Sequence, residues 1–113
     1  MSYKTDFIEG WDGLSDEVNK CAVEKGWYEK DRSIAEAIAL MHSELSEALE
    51  AARHDDPPSE KIPTYSQVEE ELADAVIRIM DTAYHEDLDV GGALLAKIEY
   101  NWTRPHKHGG KKF

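Results

Sequence analysis

The stretch SIAEAIALMHSELSEALEAAR, residues 33–53, contains the clearest helical pattern in this chain. It opens with Ser33-Ile-Ala-Glu36, a capping box in which each side chain accepts a hydrogen bond from the other residue's backbone N–H. Apolar residues then recur at the i, i+3, i+4, i+7 spacing of one helical face. These residues are Ile34, Ala37, Ile38, Met41, Leu45, Ala48, Leu49 and Ala52. The pattern predicts an amphipathic helix that runs to about His54 and is ended by Asp55-Asp56-Pro57-Pro58, because proline cannot continue the helix.

Three further segments carry helical patterns. A helix over about residues 14–25 is predicted to end at Gly26, and a second capping box, Ser66-Gln-Val-Glu69, opens a helix that reaches about residue 86. A last helix is predicted over about residues 90–103, followed by a tail over about 105–113. Strand-like alternation is absent from the sequence. We therefore expect one all-α domain over residues 1–113.

The helix predicted after Ser66 is apolar on two sides. One stripe comprises Val68, Leu72, Ala75, Val76, Ile79 and Ala83, and the other comprises Ala73, Ile77, Met80 and Tyr84. Only a narrow polar strip remains between them, which indicates a helix that is covered on both sides. In a chain of 113 residues, we expect one of these sides to be a subunit interface.

Composition excludes several classes of protein. The net charge is −11, from 24 acidic and 13 basic residues, which argues against binding to a nucleic-acid backbone. A single cysteine, Cys21, provides no internal disulfide and fits a reducing compartment. No apolar run approaches the ~20 residues that span a membrane, and the first residues lack the apolar core of a signal peptide. We therefore expect a soluble, cytoplasmic protein.

Two pairs of acids stand out within the helical segments, Glu44-Leu-Ser-Glu47 and Glu71-Leu-Ala-Asp74. Residues three apart lie on one side of a helix, so two antiparallel helices could bring all four carboxylates together. Such a group needs a cation, and oxygen ligands without Cys or His favour Mg²⁺, Mn²⁺ or Ca²⁺. The alternative is that these acids simply belong to the solvated faces of an acidic bundle.

A basic stripe is predicted on the last helix, where Lys97, Asn101 and Arg104 share one face. Arginine can hold phosphate oxygens as a bidentate fork and lysine can hold them as a point charge. The alternative is a basic helix C-terminus that complements the helix dipole. Elsewhere, Trp27 could stack on a base, although tryptophans are more often core or interface anchors, and a lone helical histidine such as His42 is more often structural or exposed.

The spacing Glu44-x-x-Glu47, 23 intervening residues, then Glu71-x-x-Asp74 resembles the signature of the MazG-like, all-α NTP pyrophosphohydrolase superfamily. That superfamily includes dimeric dUTPases, dCTP pyrophosphatases and phosphoribosyl-ATP pyrophosphohydrolases. The ending from Lys97 to Phe113 is similar to that of short members, so the resemblance covers roughly residues 33–113. It implies a four-helix MazG-like bundle that is completed by oligomerisation, as a dimer or tetramer.

The resemblance also implies hydrolysis of a nucleoside triphosphate between its α and β phosphates, giving a monophosphate and pyrophosphate. Glu44, Glu47, Glu71 and Asp74 would hold Mg²⁺, or Mn²⁺ in its place, and one of them would act as general base. The phosphate chain would be held by Lys97, Asn101 and Arg104, with Lys111 as a further candidate. The residues that recognise the base do not carry over from the family; His42, Trp27 and Asp81 are candidates from their positions alone.

Two other functions remain open at this point. The chain could be a non-catalytic helical protein that binds a metal or a partner through its acidic groove. It could also be an enzyme that acts on phosphoribosyl-ATP. The intact set of four acids and three phosphate-binding candidates argues against the non-catalytic alternative, whereas the sequence does not separate the two enzymatic ones.

Overall fold

The chain is helical along most of its length in a computed structural model that describes residues 2–112, except the side chain of His108. The helices are α1 (Tyr3–Glu24), α2 (Ile34–Arg53), α3 (Gln67–His85), α4 (Val90–Trp102) and one short turn, α5 (Lys107–Gly110). Within the described residues, extended pairing is limited to one bridge between Pro58 and Ser66. The prediction of an all-α protein is confirmed. Met1 and Phe113, the outer ends of the predicted domain and tail, lie outside the described residues.

Both predicted capping boxes are formed. The Glu36 N–H donates to Ser33 Oγ at 3.1 Å, and the Ser33 N–H donates to Glu36 Oε1 at 3.4 Å. The corresponding bonds between Ser66 and Glu69 measure 3.1 Å and 2.8 Å. The starts of α2 and α3 are thus set by local sequence, since each box satisfies donors that the first turn leaves free.

The first helix begins at Tyr3 and not near residue 14, so the predicted start was wrong. Gly10 and Gly13 weaken the local helical pattern, since glycine costs about 1 kcal/mol relative to alanine inside a helix. Packing overrides this cost. The rings of Phe7 and Trp11, one turn apart, lie 5.8 Å from each other, and the same face of α1 packs against other helices.

Residues with positive φ end the first three helices. Gly26, at φ 89°, follows α1 as predicted, and the Trp27 N–H donates to the Ala22 carbonyl at 3.0 Å, as in a Schellman cap. Two residues with φ 63° and 47°, Asp55 and Asp56, end α2 before the prolines are reached. The prediction that proline ends this helix was therefore wrong in its cause, because aspartate also tolerates the left-handed conformation.

Helix α3 lies in the middle of the fold, between α2 and α1, and α4 packs against α1. Contacts of Glu44 with Arg78 and of Glu47 with Glu71 show that α2 and α3 are antiparallel. The crossing of α4 over α1 is close, because a Cβ on Gly91 would stand 2.8 Å from the ring of Trp11. The acids of α2 and α3 therefore face each other, whereas α4 packs mainly against α1.

Large apolar side chains of α2 and α3 remain uncovered in the single chain. Six of them are 43–53% exposed: Ile34, Ile38, Leu45, Leu49, Leu72 and Val76. The predicted α2 stripe is therefore only partly a packing face within one chain, where its smaller members Ala37 and Ala48 are buried. Despite this exposed apolar surface, none of the described helices combines the length and apolar character that crossing a membrane requires.

Candidate metal centre

Five carboxylates converge between α2 and α3. Oxygens of Glu44, Glu47 and Glu71 lie within 4.8 Å of one another, and so do oxygens of Glu70, Glu71 and Asp74. Glu71 belongs to both groups. The structure thus brings together the four acids selected from the sequence and adds Glu70. We call these five residues the acidic cluster.

The cluster concentrates negative charge where water is partly excluded. Glu44 is only 8% exposed, and burial raises the pKa of its carboxyl above the usual value, an effect that the positive charge of Arg78 partly opposes. Burial, together with hydrogen bonds to Glu47 and Asp74, raises the pKa of Glu71 to about 8. Near neutral pH the Glu71 carboxyl therefore holds a proton in a large fraction of molecules.

A divalent cation fits this donor set. The oxygen atoms come from two rigid helices, no Cys or His is among them, and the charge exceeds what the surrounding residues neutralise. Hard oxygen ligands of this kind suit Mg²⁺, Mn²⁺ or Ca²⁺. A bound cation would displace the proton that the Glu71 carboxyl holds.

One cation contacts the cluster. Arg78 Nε lies 3.8 Å from Glu44 Oε2, and no other ion pair to the five carboxylates occurs in the part of the chain that the structure describes. Arg78 was not selected from the sequence. Its position was a usable signal, since it follows Asp74 by four residues and lies within the narrow polar strip of α3.

Glu70, the fifth acid, is oriented by the connection between α2 and α3. The hydroxyl of Ser59 donates to Glu70 Oε1 at 2.6 Å and accepts from the N–H groups of Lys61 and Ile62. Ser59 is 2% exposed, and the Ser59 N–H donates to the Tyr65 carbonyl at 2.8 Å. The segment predicted as a loop is thus a fixed support for one member of the cluster.

A cavity of about 370 Å³ lies beside the cluster, between α1, α3 and the segment that joins α1 to α2. Its lining includes Trp27, Arg32, Arg78, Asp81 and Cys21. Trp27 is 61% exposed, so its ring is accessible. Arg78 belongs to both places, because its side chain lines the cavity and also pairs with Glu44.

Asp81, a candidate for base recognition, is already bonded on several sides. Its carboxylate accepts hydrogen bonds from Asn19 Nδ2 at 2.9 Å and from the Tyr28 hydroxyl at 2.8 Å. Arg32 lies 3.4 Å away, and the Tyr28 ring stacks on His85 with centroids 3.6 Å apart. We call these five residues the Asp81 network. Its bonds join α1, α3 and the segment between α1 and α2, so this carboxylate has a structural role.

The other predicted substrate-binding residues make no hydrogen bond or ion pair to the cluster in the described part of the chain: His42, Lys97, Asn101, Arg104 and Lys111. His42 is exposed on α2, and Lys111 is exposed after α5. Lys97 and Asn101 are exposed on α4, where Lys97 Nζ stands 4.7 Å from the ring centroid of Tyr100. Arg104, just beyond α4, is partly buried. Helix α4 packs mainly against α1, and among the described residues no ion pair joins its basic stripe to the carboxylates of α2 and α3.

Comparison of the chain with protein-family models, with curated proteins and with solved structures found no match in any of the three. The functional assignment therefore depends on the residues and geometry of this chain.

Proposed function

We propose that this protein is a Mg²⁺-dependent pyrophosphohydrolase of the MazG-like superfamily, cleaving a nucleoside triphosphate between its α and β phosphates. The observation that carries the proposal is the convergence of Glu44, Glu47, Glu71 and Asp74, with Glu70, between two antiparallel helices. These are the acids that the motif resemblance selects. A divalent cation bound among them would neutralise this concentrated negative charge and would displace the proton that the raised pKa of Glu71 favours.

Mg²⁺ held by these carboxylates would neutralise phosphate charge and lower the pKa of a bound water. The protein's own part is to fix the ligands and to orient the substrate. Rigid helices fix Glu44 and Glu71, and the Ser59 hydroxyl fixes Glu70. A carboxylate of the cluster would take the proton of the attacking water, since several of them lie within 4.8 Å of one another.

The cavity beside the cluster is the proposed site of the nucleoside. Its volume of about 370 Å³ is in the range of small-molecule pockets. The exposed ring of Trp27 offers a surface on which a base can stack, and Arg78 stands between the cavity and the acids. A nucleotide in this orientation would direct its phosphates towards the proposed metal.

The basic stripe of α4 is proposed to come from a second copy of the chain. Lys97 and Asn101 are exposed and do not reach the acids of their own chain, while apolar residues of α2 and α3 are left uncovered. Covering those residues with another copy would complete the bundle as a dimer or tetramer. It would also provide the route by which Lys97, Asn101 and Arg104, with Lys111, approach the phosphates.

The primary experiment measures pyrophosphate release from a panel of NTPs, dNTPs and phosphoribosyl-ATP with Mg²⁺ or Mn²⁺. We expect wild type to be active on at least one substrate and both Glu47→Ala and Asp74→Ala to lose about 100-fold or more, because a catalytic metal ion contributes several kcal/mol of transition-state stabilisation. Glu50→Ala, which removes an exposed acid of α2 outside the cluster, is the matched control. No turnover on any substrate, or full activity in both cluster variants, would refute the proposal.

The same panel separates the alternatives. Metal binding by wild type without any turnover would favour the non-catalytic metal-binding protein, which the separation of α4 from the acids within one chain makes worth testing. Turnover confined to phosphoribosyl-ATP would assign the other enzymatic reaction.

Mixing variants tests whether the site is shared between copies. Asp74→Ala and Lys97→Ala should each be inactive, yet refolding them together should restore part of the activity, because some sites would combine an intact cluster with an intact basic stripe. Failure to restore activity would place both groups in the same chain. Solution mass is the complementary measurement: Leu45→Glu and Leu72→Glu should each lower it, and an unchanged mass would show that this face is not the interface.

A further inference from the structure

Two arginines line the cavity, and they differ in their attachments. Arg32 pairs with Asp81 at 3.4 Å and lies 5.0 Å over the ring of Tyr28, so its guanidinium is held from two sides. Among the described residues Arg78 has a single anionic partner, Glu44, at 3.8 Å, and its side chain is 31% exposed. Asp81 is bonded by Asn19, Tyr28 and Arg32, and it forms no ion pair with Arg78 in the described part of the chain.

The partner of Arg78 belongs to the acidic cluster. A cation bound among Glu44, Glu47 and Glu71 would satisfy the carboxylate that Arg78 now neutralises, and two cations close together on one carboxylate repel each other. Arg78 remains charged at every accessible pH, so it cannot relieve this repulsion by losing a proton. The pair with Glu44 would therefore weaken, and the cavity that Arg78 lines gives its side chain another place to bind an anion.

We infer that Arg78 is a substrate-binding residue that Glu44 holds until a divalent cation enters the acidic cluster, after which its guanidinium binds a phosphate of the substrate. The inference builds on the proposed function. A guanidinium is well suited to this transfer, because the planar fork that holds a carboxylate holds a phosphate equally well. Arg78 would thus link metal occupancy to substrate binding, with the metal bound before the phosphates.

The test uses two probes on the full-length protein, Mn²⁺ alone and the Mn²⁺ complex of inorganic triphosphate, both measured by titration calorimetry. Arg78→Gln should bind Mn²⁺ alone about threefold tighter, because the guanidinium that competes with the metal for Glu44 has been removed. The effect is small because this side chain is partly exposed. The same variant should bind the triphosphate complex about tenfold more weakly, because a charge-assisted hydrogen bond has been lost. A merely structural arginine would not move the two affinities in opposite directions.

Two further variants keep the test decisive. Arg78→Lys retains the charge and should bind Mn²⁺ nearly as wild type does, while recovering part of the triphosphate affinity. Arg53→Gln is the matched control, since Arg53 makes a pair of similar length, 3.7 Å, with Glu50 on the exposed face of α2. It should change neither affinity, and helicity measured by circular dichroism should be the same in all variants.

The outcomes separate this inference from the proposed function. If wild type binds Mn²⁺ and releases pyrophosphate, but Arg78→Gln leaves Mn²⁺ affinity unchanged or lowers it, Arg78 does not compete with the metal and the inference alone is overturned. Unchanged affinity for the triphosphate complex overturns it equally. If wild type binds no Mn²⁺, both the inference and the proposed function fail.

Discussion

Two carboxylates in this small fold are buried to nearly the same degree, Asp81 at 7% and Glu44 at 8% exposure, yet their surroundings are opposite. Asp81 has Asn19, Tyr28 and Arg32 as donors, so its charge is compensated within the chain. Glu44 has other carboxylates as its main neighbours and one arginine at 3.8 Å. Burial of a charge is tolerated when it is paired and costly when it is not.

The difference indicates two kinds of polar core. In the Asp81 network the carboxylate is paired within the single chain. Its bonds join α1, α3 and the segment between α1 and α2. In the described part of the chain the acidic cluster has one cation against it, Arg78, and burial together with hydrogen bonds to Glu47 and Asp74 raises the pKa of Glu71. A structural role follows for the first group, and a ligand-binding role is proposed for the second.

The largest expected change in stability comes from removing the central carboxylate of the Asp81 network. Asp81→Ala removes the acceptor shared by three donors and leaves the partly buried Arg32 without its anionic partner and Asn19 Nδ2 with His85 alone, so the free energy of unfolding should fall by about 3 kcal/mol. Urea unfolding followed by circular dichroism measures it. Asp16→Ala, which removes a surface carboxylate bonded to Lys20 and Tyr84, should cost much less. Equal losses in both variants would show that the Asp81 network has no special weight.

The second expected effect is a pH dependence of stability that arises in the acidic cluster. Glu71 has a pKa of about 8 in the folded chain, above the ordinary 4.5, so the folded state holds a proton that the unfolded state has released. In EDTA, the free energy of unfolding should therefore decrease as pH rises from about 5 through about 8, by about 1–2 kcal/mol. Glu71→Gln should flatten this slope, and so should Mg²⁺ in wild type. If the free energy of unfolding of wild type in EDTA does not change between these pH values, the Glu71 carboxyl does not have a raised pKa.

The smallest effect has the opposite sign to the first. Glu44→Gln removes a buried charge that is poorly compensated, so in EDTA the free energy of unfolding should rise by about 0.5–1 kcal/mol. Thermal or urea unfolding with and without Mg²⁺ checks this, and added Mg²⁺ should stabilise the variant less than it stabilises wild type. Glu50→Gln, on the exposed face of α2, provides the comparison. A loss of stability in EDTA would mean that Glu44 is paired as well as Asp81 is.

Local sequence was sufficient to predict the starts of α2 and α3 and the end of α1. The capping boxes at Ser33 and Ser66 and the stop at Gly26 depend on residues within one turn, so they could be read without any tertiary contact. The same holds for the two acid pairs, because spacing along a helix fixes which side chains share a face. The start of α1 could not be predicted in this way, since packing against other helices offsets two glycines.

The sequence by itself therefore determined an all-helical chain with four acids at spacings that allow them to meet. Only the tertiary structure decided that α2 and α3 are antiparallel neighbours, which brings Glu44 against Glu71 and adds Glu70 and Arg78. It also decided that Asp81 accepts hydrogen bonds from side chains of its own chain and that α4, with its basic stripe, packs mainly against α1. The physical reason is that helix periodicity is local, whereas the packing of one helix on another depends on contacts between residues far apart in sequence.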